Sequence, residues 1–230
     1  MKYTTQFDKE LLKLPIYQRY PELLPQIGSD IDSVKKHFLF IGESHYLPIE
    51  REEIHTDHDK WYSGPEIELN QKERYWLSTR EIIGKGENRK YESRAHSIYI
   101  NIEKAMLDSG MNPPLKDNMF RYCSFMNFFL RPACPNISIN DSHIDRETAF
   151  RNLQKVIPII QPDAVVFVSK MAYNVAKWYK ENEAADLGLP TISVPHPGSA
   201  WWNRKSSKYV GPSGESQSGK EHLHYILSKA

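Results

Sequence analysis

Three short stretches of this 230-residue chain join a chemically capable side chain to a backbone that stops abruptly. The first, Pro195-His196-Pro197-Gly198-Ser199, follows the apolar run Thr191 to Val194. Its prolines forbid further regular pairing, so His196 sits on a stiff loop at the expected carboxyl end of a buried strand. In open α/β sheets that rim is where ligands bind. The loop continues into Trp201-Trp202-Asn203-Arg204-Lys205, two aromatics and two cations suited to stacking on bases and contacting phosphates. The competing reading is a structural turn with a satisfied histidine and two core tryptophans. The second stretch, Gly42-Glu43-Ser44-His45-Tyr46, follows the aromatic-rich run His37 to Gly42. The third is Asn127, closing the run from Phe120, with Arg131-Pro132 just beyond. Glu43 is either a ligand-facing acid or a solvated one, and Asn127 either a ligand contact or a backbone partner at a strand end.

Other groupings carry less. His45, His55 and His58, with Asp57 and Asp59, have ligand-like types and spacing. A solvated lid explains them more simply, so no metal is expected. Trp61 and Trp76 fit lid packing better than ligand stacking. Gly214 to Lys220 has the spacing of a phosphate-binding loop, but Glu221 stands where a magnesium-binding Ser or Thr is needed. Nucleotide hydrolysis is therefore excluded, while the backbone N–H groups opening the last helix remain a place for a nucleic-acid phosphate.

The elements that must position these residues follow from periodicity. Short apolar runs near 38–42, 122–127, 163–169 and 191–195 predict four parallel strands. Helical patterns between them cover Ala95 to Ser109, with Gly110 as C-terminal cap, then Asp145 to Ile157, and Lys170 to Glu183 capped by Ser169. Pro158 ends or kinks the second of these. A last helix is expected over Lys220 to Lys229, after a Gly/Ser-rich loop from Lys205 to Ser218. Met1 to Asp30 reads as an arm on the body, and 47–94 as a lid or insertion within one domain spanning 1–230. The fold class is α/β, a three-layer α/β/α sandwich around a short four-stranded parallel sheet. Glu43, Asn127 and His196 should then line one cleft.

Composition narrows the partners. Thirty Lys and Arg balance 29 Asp and Glu, so any nucleic-acid surface must be local. Two cysteines, Cys123 and Cys134, cannot build a disulfide framework and fit a reducing, cytoplasmic setting. Met1 to Glu10 has no apolar signal region, and no run is long enough for a bilayer, so no membrane partner is expected.

In this order the three strand-end motifs resemble those of the uracil-DNA glycosylase superfamily. Phe125-Met-Asn-Phe-Phe-Leu-Arg-Pro132 and Val156-Ile-Pro-Ile-Ile-Gln-Pro-Asp-Ala-Val-Val-Phe-Val-Ser169 resemble its bacterial and archaeal Gly-Glu branch especially. The resemblance implies cleavage of an N-glycosidic bond to a flipped base in DNA. It implies that His196 stabilises the departing base anion, that Glu43 positions or activates water, and that Asn127 reads the base. Gly42, Ser44 and Tyr46 would complete the substrate pocket. Ser199, Trp201, Trp202, Arg204 and Lys205 would contact DNA, with the tryptophans as a wedge and Trp201 nearer the matching position.

The chain departs from the family pattern at Ser44, where active members often carry Asp or Asn, at His45, a usual proline, and at Gly198, a usual serine. The cysteine ligands of the iron–sulfur branch are absent, so no cofactor is expected. A catalytically altered nucleic-acid or nucleotide binding module on the same fold stays open beside the glycosylase, as does a hydrolase of another small substrate.

Overall fold

The computed structural model describes residues 3–84, 96–109, 118–135 and 137–229. Its centre is a five-stranded sheet in the order β1-β3-β2-β4-β5. These strands are β1 (Gln26–Ile27), β2 (Phe38–Gly42), β3 (Ser124–Asn127), β4 (Ala164–Phe167) and β5 (Thr191–Ser193). All pair in parallel except β1, which runs antiparallel to β3. The sheet thus has five strands rather than four, the extra one coming from the N-terminal arm. Two residues carry no readable alternation, and β1 exists because β3 offers it an edge. Gly28 follows because a Cβ there would lie 2.1 Å from the Arg121 carbonyl oxygen.

Alternation along β2 and β4 sorts side chains to two faces. Leu39, Ile41, Val165 and Phe167 join one hydrophobic cluster; Phe38, Phe40, Ala164 and Val166 join the other. The arm helices α1 (Asp8–Leu11) and α2 (Pro15–Arg19) contribute to the first cluster, as do α3 (Glu52–Thr56), α4 (His58–Tyr62), α5 (Gln71–Leu77) and the later residues Phe150, Leu153 and Tyr179. Next in the chain is α6 (Thr79–Gly84). The second cluster takes α7 (Ser97–Asp108). Further along come α8 (His143–Ile160), α9 (Lys170–Asn182) and α10 (Gly219–Ser228), of which α10 packs with α7. Helices thus cover both faces, which is compatible with a three-layer α/β/α sandwich. Among the described residues no helix is long and apolar enough to cross a membrane.

Several boundaries differ from expectation. Met119–Tyr122 is a 3-10 turn, so β3 starts only at Ser124. Helix α7 stops at Asp108 with Ser109 as its cap; Gly110 and most of the connection after it lie outside the described residues. Helix α8 opens on a Ser142–Asp145 capping box and runs through Pro158 to Ile160. It ends where Gln161 takes a left-handed φ of 49° and Pro162 bars continuation. The expected loop at 205–218 is a hairpin, β6 (Ser206–Val210) with β7 (Ser216–Gln217). Its largely exposed residues lack the apolar alternation that marks a half-buried strand.

The described part of the expected lid, 47–84, packs into the main core. Trp61 is fully buried and stacks on Tyr20 with ring centroids 3.9 Å apart. Arg131 fastens this segment down. Its guanidinium donates to Asp145 Oδ1 (2.9 Å) and Oδ2 (2.7 Å), and to the carbonyls of Ile54 (3.0 Å), His55 (2.6 Å) and Asn140 (2.9 Å). Tyr62 adds a hydrogen bond to Asp145 at 3.0 Å.

Candidate functional site

The sheet order decides which strand-end residues are neighbours. Along the carboxyl rim it runs Asn127 (β3), Gly42 and Glu43 (β2), Ser169 (after β4), His196 (after β5). At about 4.8 Å between neighbouring strands, Asn127 and His196 stand roughly 14 Å apart at the backbone. A ligand touching both must lie across the ends of β2 and β4.

Gly42 pairs in register with Asn127. A Cβ on Gly42 would fall 2.3 Å from Asn127 Oδ1 and 2.8 Å from Phe125 Cζ, so the amide side chain lies directly over the glycine. Beyond the strand the Gly42–Leu47 segment stays clamped to its neighbour. Phe128 and Phe129 N–H donate to the carbonyls of Gly42 (3.2 Å) and Glu43 (2.9 Å), and Ala133 N–H donates to that of His45 (2.8 Å).

With its backbone tied toward β3, Glu43 sends its side chain the other way, toward β4. There Ser169 Oγ donates to Glu43 Oε2 at 3.1 Å. The same hydroxyl accepts the Ala172 N–H at 3.3 Å and so caps α9. A carboxylate at this helix start is favoured by the helix dipole.

His196 is half-buried, and burial lowers its pKa below the ordinary value against a smaller raising effect from the Glu43 carboxylate. Its Nδ1 accepts the Gly198 N–H at 3.0 Å. The neutral ring therefore carries its proton on Nε2 and presents it as a donor. Helix α7 braces this loop, since Asn101 Nδ2 donates to the Pro197 carbonyl at 2.8 Å. A Cβ on Gly198 would stand 3.1 Å from both His196 Cε1 and Ser97 Oγ, so the loop packs closely around this glycine.

Tyr46 is exposed beside the acid; partial burial and the Glu43 carboxylate push its phenol pKa up. Ser44 and Ser199 place buried hydroxyls in the two motif loops that have no hydrogen-bond partner among the described residues. Trp201, Arg204 and Lys205 are exposed, Trp201 to 56%. Trp202 is not available to DNA in this structure. It is 1% exposed within the second hydrophobic cluster, together with Leu223 and Leu227.

His45 also turns inward, with a hydrogen bond to the Trp76 backbone, and burial lowers its pKa to about 4. His55 Nε2 bonds the Pro48 carbonyl at 2.9 Å. Among the described residues no three His, Cys, Asp or Glu side chains converge to hold a metal. Cys123 is buried and Cys134 half-buried, and two thiols do not fit the four-cysteine set an iron–sulfur cluster needs. The start of α10 is not open for a phosphate either. Ser218 Oγ accepts the Glu221 N–H at 3.2 Å, and Glu221 Oε2 accepts the Ser218 N–H at 2.8 Å.

Two surface cavities lie away from this rim. One, of about 230 Å³, borders α9 at Tyr173, Lys177 and Lys180; another, of about 350 Å³, lies at the amino ends of the strands beside His37 and Asp163. In both, acids and donors are already engaged: Lys180 pairs with Asp186 at 2.9 Å in the first, and in the second the His37 backbone N–H donates to Asp163 at 2.7 Å while its ring Nε2 is bonded to Ser124 Oγ at 2.7 Å. Sequence reasoning missed Asn101 and the reach of Ser169 to Glu43. Ser169 had a usable signal, because it too follows a parallel strand; Asn101 is a mid-helix amide with none. Compared with family models, with curated proteins and with solved structures, the chain matches none.

Proposed function

We propose that this chain is a uracil-DNA glycosylase-like protein that hydrolyses the N-glycosidic bond of a deaminated or modified base in DNA. The observation that carries the reading is the Gly198–His196 hydrogen bond, which leaves a neutral imidazole with Nε2–H free to donate, on the same rim as an acid. As the bond between C1′ and the base nitrogen breaks, its electron pair leaves with the base. His196 donates to the base oxygen on which that negative charge gathers. Neutrality matters, because the ring acts as a hydrogen-bond donor without a charge to tighten ground-state binding.

The Glu43 carboxylate faces the positive charge on the sugar and accepts a proton from the water that adds to C1′. The departing base anion then takes up a proton, equivalent to the one water gave Glu43, so the products are the free base and an abasic site. Asn127 reads the base edge, and Tyr46 packs beside it. Trp201 is the exposed wedge, with Arg204 and Lys205 on flanking phosphates.

The test is base release under single-turnover conditions from uracil, hypoxanthine and xanthine in single- and double-stranded DNA. His196→Ala should slow release by about 10²–10³-fold with little change in DNA affinity, circular dichroism confirming the fold. A full rate in that variant refutes the role of His196. No release from any of these bases by the wild type, with DNA still bound, replaces the glycosylase by a binding module.

A further inference from the structure

We propose that Ser169 is a positioning residue for Glu43, an inference that rests on the glycosylase reading for its kinetic arm only. Ser169 lies two residues beyond the end of β4, is 1% exposed and uses its hydroxyl twice. The oxygen accepts the Ala172 N–H as the N-cap of α9, and the hydroxyl proton goes to Glu43 Oε2.

Those two bonds determine the hydroxyl's direction. A hydroxyl has one proton, and the cap uses a lone pair, so the proton is free for the carboxylate. The backbone around the acid is fixed independently: Phe129 N–H holds the Glu43 carbonyl on the β3 side, and Val168 N–H holds the Ile41 carbonyl on the β4 side, each at 2.9 Å. With its main chain pinned on one side and Oε2 on the other, the carboxylate cannot swing freely. The remaining oxygen, Oε1, is the one left to meet water and the reacting sugar.

Position on the rim gives this constraint its use. The end of β4 lies between those of β2 and β5, so Ser169 draws Glu43 toward the His196 side. The Glu43 charge acts on His196, which places acid and imidazole within electrostatic reach of one another. Without the serine proton, the flexible glutamate side chain can rotate toward solvent, away from the line between water and C1′. Misplacement of one reacting group by about 1 Å can cost as much as 10²-fold in rate.

Three substitutions separate positioning from helix capping. Ser169→Ala removes both bonds, Ser169→Asp keeps a good cap but has no proton to donate, and Ser169→Thr keeps both. Single-turnover base release should fall about 10-fold or more in the alanine and aspartate variants, with KM unchanged, and threonine should recover most of the loss. In a Glu43→Gln background, Ser169→Ala should cost little further, because it acts through the acid.

A readout without turnover accompanies this: the ¹³C carboxyl resonance of Glu43 at neutral pH. It should move in Ser169→Ala and Ser169→Asp and stay in place in Ser169→Thr. An unmoved resonance in Ser169→Ala, or an equal rate loss with and without the Glu43 carboxylate, overturns the proposal. The resonance decides Ser169 even if the wild type releases no base, a result that would overturn the glycosylase reading instead.

Discussion

Replacing Arg131 by methionine is the sharpest test of how this molecule holds its site-bearing loops. The guanidinium is buried and meets Asp145 in a two-pronged ion pair, while its other donors satisfy the Ile54, His55 and Asn140 carbonyls. Methionine fills much of the volume and supplies no donor. It leaves the fully buried Asp145 carboxylate with only Ser142 and Tyr62 as side-chain partners, and three carbonyls lose a partner.

Breaking one side of a buried ion pair costs about 3–5 kcal/mol. For a domain of this size that is a fall in Tm of about 6–20 °C, at about 2–4 °C per kcal/mol. Burial by itself would raise the Asp145 pKa, yet Arg131 and Ser142 hold it below the ordinary value. Losing the arginine lets it rise, so the defect should be partly relieved as the pH falls toward the carboxylate range. Denaturant unfolding at pH 7 and pH 5, with Asp145→Asn added to Arg131→Met as a second variant, measures this. The double variant should recover part of the loss, since no buried charge is left unpaired. A loss under about 1 kcal/mol in Arg131→Met would refute the clamp.

Acid should destabilise the wild type earlier than carboxylates alone would. Burial lowers His37 and His45 to about 4. The unfolded chain takes up those protons near pH 6.5, so stability is complete above that pH and falls as the pH drops toward 4, by on the order of 3 kcal/mol per histidine. Stability measured from pH 7.5 to 4.5 checks this, and a flat profile between 6.5 and 4.5 would refute it. The adjacent tryptophans should part company. Trp202→Ala should cost about 3–5 kcal/mol of folding stability, whereas Trp201→Ala should leave stability within about 0.5 kcal/mol and weaken DNA binding. Thermal unfolding and fluorescence anisotropy with a labelled duplex separate the two effects.

What could be read from the chain alone were features set within a few residues. Phe38–Gly42 and Ala164–Phe167 are apolar runs of strand length between helical patterns, and both are strands buried at every position. Ser169 is a helix cap both by residue type and in the structure. Parallel strands share one rim, so Glu43, Asn127 and His196 could be assigned to it before any contact was known.

Tertiary contacts decided the rest. Strand β1 depends on the edge of β3, about 100 residues away, and no local pattern encodes it. Arg131 looked like part of a strand-end loop; its partners, from Ile54 to Asp145, make it a clamp. Trp201 and Trp202 are the same residue type side by side, and only the packing of α10 determines that the second is buried and the first exposed. Ser169 shows both levels at once: its cap is local, whereas its proton on Glu43 depends on strands 126 positions apart in sequence lying side by side. Short-range chemistry selects which elements form; burial and pairing across the sheet determine which of their side chains meet.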